Sequence, residues 1–114
     1  MAGEPKKLAN LDEEIYEKIG ISNLILLAMF SMLNNNKKCS FESLLKECFI
    51  LFPKAFAFSQ YAQWPDSRKL DRPLRTLRKR KLINGDPKTF FSLTKSGEKK
   101  VQELVKLFYQ KKLI

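Results

Sequence analysis

Apolar residues recur along the chain at helical spacing over most of its length. Leu11, Ile15 and Ile19 stand four apart and predict a short amphipathic helix over 11–19, ended by Gly20 in a C-terminal cap position. Ser22 or Asn23 starts a second helix through Leu24, Ile25, Leu26, Leu27, Ala28, Met29, Phe30, Met32 and Leu33. This stretch is apolar nearly all round, the signature of a central buried helix. Asn34, Asn35, Asn36, Lys37 and Lys38 break it. Ser40 then N-caps a third helix, whose apolar positions 41, 44, 45, 48 and 49 run on towards Pro53. Residues 52–65 show neither period. Phe52, Phe56, Phe58, Tyr61 and Trp64 sit there among Pro, Ser and Gln, which predicts an aromatic-anchored loop with Phe56 and Phe58 extended. Phe56, Phe58, Tyr61 and Trp64 are expected to seal the open side of a small core; an effector pocket or a base-stacking surface is the alternative.

Polar punctuation organises the remainder. Asp66, Ser67 or Asp71 can cap a helix, and Pro73 costs almost nothing only in a first turn. One helical turn from about 67, a bend, and a regular helix from about 72 to 81 are therefore expected. Leu82 and Ile83 start a strand, Asn84, Gly85, Asp86 and Pro87 make a turn, and Thr89–Leu93 form the return strand. Thr94 or Ser96 caps a last helix with the apolar stripe Val101, Leu104, Val105 and Phe108. The fold class is thus mainly α with a small β-hairpin. Residues 1–10 read as a flexible leader and 11–114 as a single domain.

Charge adds a partner to this picture. The chain of 114 residues has 22 Lys and Arg against 12 Asp and Glu, a net charge of +10. Residues 54–82 hold nine basic and two acidic residues, so +7 of that net charge lies on this one stretch. At about 100° per residue, Leu70, Leu74 and Leu77 share one face of the 68–81 helix, and Arg68, Arg72, Arg75 and Lys79 share the opposite face. Lys69, Thr76 and Arg80 flank the cations. One side can bury, and the other offers long-reach donors to a polyanion, nucleic acid first and acidic membrane second. Lys88 at the hairpin tip is a further candidate phosphate contact, whereas Lys95, Lys99 and Lys100 are expected to be plain solvent-facing residues.

Composition narrows the chemistry. There is no histidine, which removes Ser-His and Cys-His catalysis, His-liganded zinc and any histidine-based pH switch. The four glycines are scattered, so no phosphate loop forms. Asp12, Glu13 and Glu14 suit the acidic first turn of a helix. Cys39 and Cys48 are expected to be ordinary packed thiols. No catalytic residue, metal or cofactor is implied. The longest apolar run falls short of the about 20 residues that span a bilayer. The start carries no secretory signal, so a cytoplasmic location without membrane contact is expected.

Two stretches carry a family resemblance: Leu74-Arg75-Thr76-Leu77-Arg78-Lys79-Arg80-Lys81-Leu82-Ile83, and Phe91-Ser92-Leu93-Thr94-Lys95-Ser96-Gly97. Together they resemble the "L-x-x-L-x-x-x-G-L-I … (F/Y)-x-L-T-x-x-G" tail of winged helix-turn-helix regulators, PadR-like and MarR-like proteins among them. Leu24-Ile25-Leu26-Leu27-Ala28 is similar to the opening helix of PadR-like chains. The element order agrees over residues 22–108, the motifs over a much shorter part. Two features depart from the pattern. Lys81 stands where the glycine before "L-I" is usual, so the helix is expected to end without that cap. The connection after the third helix is also long where a tight turn is usual.

The resemblance implies a double-stranded DNA-binding transcriptional regulator. The helix 67–81 would lie in the major groove, the wing 82–94 would touch the backbone, and Arg68, Lys69, Arg72, Arg75, Thr76, Lys79, Arg80 and Lys88 would make the contacts. It also implies homodimerisation through residues 8–19 and 97–110, which would space two reading helices by about 34 Å. Two other classes remain open: a winged-helix protein-interaction module that does not read DNA, and a single-stranded nucleic acid or RNA binder using Tyr61 and Trp64.

Overall fold

The computed structural model describes the backbone of residues 20–86 and 88–113, and side-chain environments as far as residue 107. The expected leader, the 11–19 helix and the side chain of Phe108 lie outside the described residues. The elements are α1 (Ile21–Asn34), α2 (Phe41–Leu51), the single turn α3 (Pro53–Phe56), α4 (Arg68–Lys79), β1 (Ile83–Asn84), β2 (Ser92–Leu93) and α5 (Lys95–Leu113). The described residues are mainly helical with one antiparallel hairpin, as expected.

Helix α1 is the hub. Leu24 to Met29 and Met32 are all buried, and the helix touches α2, α4, α5 and β2. It begins at Ile21 rather than Ser22 or Asn23, because the Gly20 carbonyl already accepts the Leu24 N–H at 3.2 Å. Ser31, the one buried polar residue of α1, donates its hydroxyl to Glu47 Oε2 at 3.0 Å. On α2, Ser40 forms the expected cap. Its hydroxyl accepts the Ser43 N–H at 3.2 Å while Ser43 Oγ accepts the Ser40 N–H at 3.0 Å, closing a capping box. Cys39 and Cys48 are free and buried. Desolvation, and behind it the charge of Glu47, pushes the Cys39 thiol up to about 12, and burial raises Cys48 as well. Both thiols therefore stay protonated and pack as small apolar groups.

Helix α4 corrects one expectation. It runs unbroken from Arg68 to Lys79 with Pro73 inside it, not as a turn, a bend and a helix 72–81. Only an unbroken helix keeps Leu70, Leu74 and Leu77 on one face, and all three are buried. Burying three leucines is worth about 5–9 kcal/mol, against about 3 kcal/mol for an interior proline. At its start, Asp66 acts as the cap: Oδ1 accepts the Arg68 backbone N–H at 3.1 Å.

The end of α4 corrects another. Lys81 does not forgo the glycine cap but takes its conformation, with φ 59°. The Leu82 N–H reaches the Leu77 carbonyl and the Lys81 N–H the Arg78 carbonyl, both at 3.0 Å, which is a Schellman motif. Helix α1 ends in the same way on Asn36, at φ 58°. Asparagine tolerates the left-handed region, whereas lysine pays about 1 kcal/mol or more for it. Lys81→Gly should therefore stabilise the fold by roughly 0.5–1 kcal/mol. The expected signature is a higher denaturant midpoint at unchanged slope; a lower midpoint would refute the cap.

The hairpin is shorter than expected. Its ladder is Ile83 with Leu93 and Asn84 with Ser92, so Leu82 and Thr89–Phe91 are not strand residues. Thr89 is drawn into the turn instead: its N–H donates to the Asp86 carbonyl at 3.0 Å, and its hydroxyl accepts the Asp86 N–H at 3.2 Å. Phe91 directs its N–H to the Cys39 carbonyl at 2.7 Å and buries its ring. Of the two candidate caps for α5, Thr94 serves: Oγ1 accepts the Gly97 N–H at 3.0 Å, and its carbonyl accepts the Glu98 N–H at 2.9 Å. Val101 and Leu104 then bury against the core.

Candidate nucleic-acid interface

The basic stretch folds into one helix flanked by a loop at its start and the hairpin at its end. Because α4 spends its apolar face on Leu70, Leu74 and Leu77, its cations are driven outward. Arg68, Arg72, Arg75, Thr76, Arg78, Lys79 and Arg80 are exposed, and Lys69 is half-buried. They do not form one uniform stripe.

Towards the end of α4, Arg75, Arg78 and Lys79 face Ile83, Asn84 and Gly85 of the hairpin across an open groove. The lining holds three cations and no carboxylate. Gly85 is required there, since a Cβ would run into the Phe90 carbonyl and its φ is +106°. Arg75 is partly engaged, its Nη2 lying 3.0 Å from Asp71 Oδ2 one turn back. Among exposed groups such a pair is worth a few tenths of a kcal/mol, so a phosphate can displace it readily. Towards the start of α4, Arg68, Lys69 and Arg72 line a second groove with Ile21, Asp66 and Pro73.

The expected contact residues therefore separate by role. Arg72, Arg75 and Lys79 present donors outward. Arg68 is tied to Asp66: its Nε lies 3.3 Å and its Nη2 3.4 Å from the two carboxylate oxygens. The Arg68 side chain holds the buried Asp66 carboxyl below its ordinary value of 3.8, against the opposing pull of desolvation. The stabilisation from this pair is complete above that value and is lost below it, as pH falls through the lower value of the folded protein. Lys69 is committed to structure, its Nζ donating to the Ala57 carbonyl and pinning the loop to α4. Thr76, Arg80 and Lys88 line neither groove. Lys88 is exposed on the hairpin turn, its N–H held by Asp86 Oδ1 at 2.8 Å.

No family model, curated protein or solved structure matches the chain.

Sequence reasoning passed over Arg78, Asn84 and Gly85. On the wheel Arg78 sits near Asp71 at the edge of the leucine face, apart from the other arginines. Only the hairpin, folded against that edge, makes it a groove residue. Tyr61 and Trp64 were expected to seal the core; they remain 53% and 57% exposed instead. The core is closed by Phe52 and Phe56, which are fully buried, while Phe58 is half-buried. Phe56 lies in the α3 turn and is not extended as expected; the extended residue is Ala57, which bridges to Pro65. Among the described residues no group of three or more His, Cys, Asp or Glu is placed to hold a metal ion, and no helix is long and apolar enough to cross a membrane.

Proposed function

We propose that the chain is a winged-helix binder of double-stranded DNA acting as a transcriptional regulator, with α4 in the major groove and the hairpin along the backbone. The observation that carries this reading is the groove between α4 and the hairpin, which Arg75, Arg78 and Lys79 line with no carboxylate among the lining residues, Asp71 meeting Arg75 from one turn back. Its donors suit phosphate oxygens and the guanine edge. Helix α4 supports it further by exposing Arg72 on the same cationic face. Leu107, exposed on α5, belongs to the 97–110 surface that would pair two copies.

The test is a duplex titration followed by anisotropy at several salt concentrations. If Arg72, Arg75, Arg78, Lys79 and Lys88 each neutralise a phosphate, log K should fall with log salt at a slope near −4.5, or roughly 500-fold between about 50 and about 200 mM. A slope near zero, or no binding at the lowest salt, overturns the reading.

A further inference from the structure

The loop between α3 and α4 presents a built aromatic surface that duplex binding does not use. The rings of Tyr61 and Trp64 stack with centroids 5.6 Å apart and planes 21° from parallel. More than half of each residue is open to solvent. Two large rings held in this way at the surface expose apolar area that folding does not require.

The loop is rigid enough to present them. Ala57 bridges to Pro65, the Phe58 N–H donates to the Trp64 carbonyl at 3.0 Å, and the Trp64 N–H donates to the Tyr61 carbonyl at 3.0 Å. The Asp66 N–H returns to the Phe56 carbonyl at 2.6 Å, and Lys69 Nζ holds the Ala57 carbonyl from α4. The backbone that carries the rings is thus tied to the basic helix.

Their surroundings select the ligand. From Phe52 to Pro65 the chain has no acidic residue. Gln60 and Gln63, next to the rings in sequence, are exposed amides, able to donate to and accept from a base edge. Arg68 follows Trp64 by four residues, so it lies within about 14 Å of it. With Arg72 it lines the groove at the start of α4; Asp66 lines it too and pairs with Arg68, which leaves Arg72 as the cation to meet the backbone of a bound strand. A π-face, amides and cations in this order are the elements of an unpaired-base site.

We propose that Tyr61 and Trp64 form a stacking site for an unpaired nucleobase, so that the chain binds a duplex carrying a single-stranded extension more tightly than a blunt one. The inference rests on α4 holding the duplex part.

Trp64 is the sole tryptophan of the chain and therefore reports on its own site. The full-length protein is titrated with a blunt duplex, the same duplex with a short thymidine extension of either polarity, and a short oligothymidine alone. Anisotropy gives affinity and Trp64 fluorescence gives stacking. At least one extended duplex should bind at least about fivefold more tightly than the blunt one and quench Trp64, since one base on an aromatic ring is worth roughly 5- to 150-fold. Trp64→Leu and Tyr61→Leu should abolish that preference and leave blunt-duplex affinity unchanged. Equal binding of blunt and extended duplexes overturns the stacking site alone. Equal weakening of both by Trp64→Leu overturns it too, because the residue then only supports the fold. Quenching by oligothymidine without any duplex binding supports the stacking site and removes the duplex reading. Silence towards all the probes removes both.

Discussion

Reversing Arg72 and Lys79 together to glutamate should cost at least about 100-fold in affinity for duplex DNA near 0.1 M salt and flatten the salt slope by about two. The two residues lie on the outward face of α4, and neither has an ion-pair partner among the described residues. Reversal therefore removes donors without releasing a carboxylate. The matched control reverses Lys46 on α2 and Lys106 on α5, which are also exposed. Both double variants carry +6 in place of +10. If net charge alone drew the polyanion in, the two would weaken equally, and the interface assigned to α4 would be wrong. Arg75 is a poorer choice for this comparison, because its reversal also places a new charge against Asp71.

The asymmetry between these cations marks how far sequence reasoning reached. Period alone separated the leucines of α4 from its arginines, because a helix has one rotation per residue and Leu70, Leu74 and Leu77 had to share a side. Period could not say which cations were already occupied. Lys69 is held by a carbonyl 12 positions earlier, and that partner exists only once the loop has folded back on α4. Arg78 became a groove residue only through the placement of β1. Tyr61 and Trp64 misled for a related reason: aromatic residues usually enter cores, but Phe52, Phe56 and Phe91 had already filled this one. The Pro73 expectation failed on magnitude, since local cost was weighed without the burial that opposes it.

Gly97→Ala should lower stability by about 2–3 kcal/mol, or roughly 10 °C in Tm by circular dichroism. Helix propensity alone predicts the opposite sign, a gain of about 1 kcal/mol for replacing glycine inside a helix. The structure reverses it because a Cβ at Gly97 would collide with the Leu82 carbonyl oxygen and press the Leu93 side chain at 3.3 Å. That same carbonyl accepts the Thr94 N–H at 3.1 Å, and Thr94 Oγ1 donates to the Lys81 carbonyl at 2.7 Å. Moving one backbone away from the other breaks these bonds, so the strain cannot relax cheaply. An alanine variant as stable as the parent would show that the two segments do not meet so closely. The Leu-Thr-x-x-Gly run is thus explained by packing: threonine ties the start of α5 to the end of α4, and glycine admits the carbonyl between them.

The base of the hairpin is fastened from outside the hairpin itself. Residues 81 and 82 are held by the last turn of α4 on one side and by Thr94 on the other, while the ladder between the strands is only two pairs long. The spacing between the strands is therefore set before the chain reaches the tip. Extra residues inserted between Asp86 and Thr89 would lengthen the protrusion without turning it relative to α4. Tip length and composition become independent design variables, and reach along a bound strand can be changed without refolding the domain that carries it.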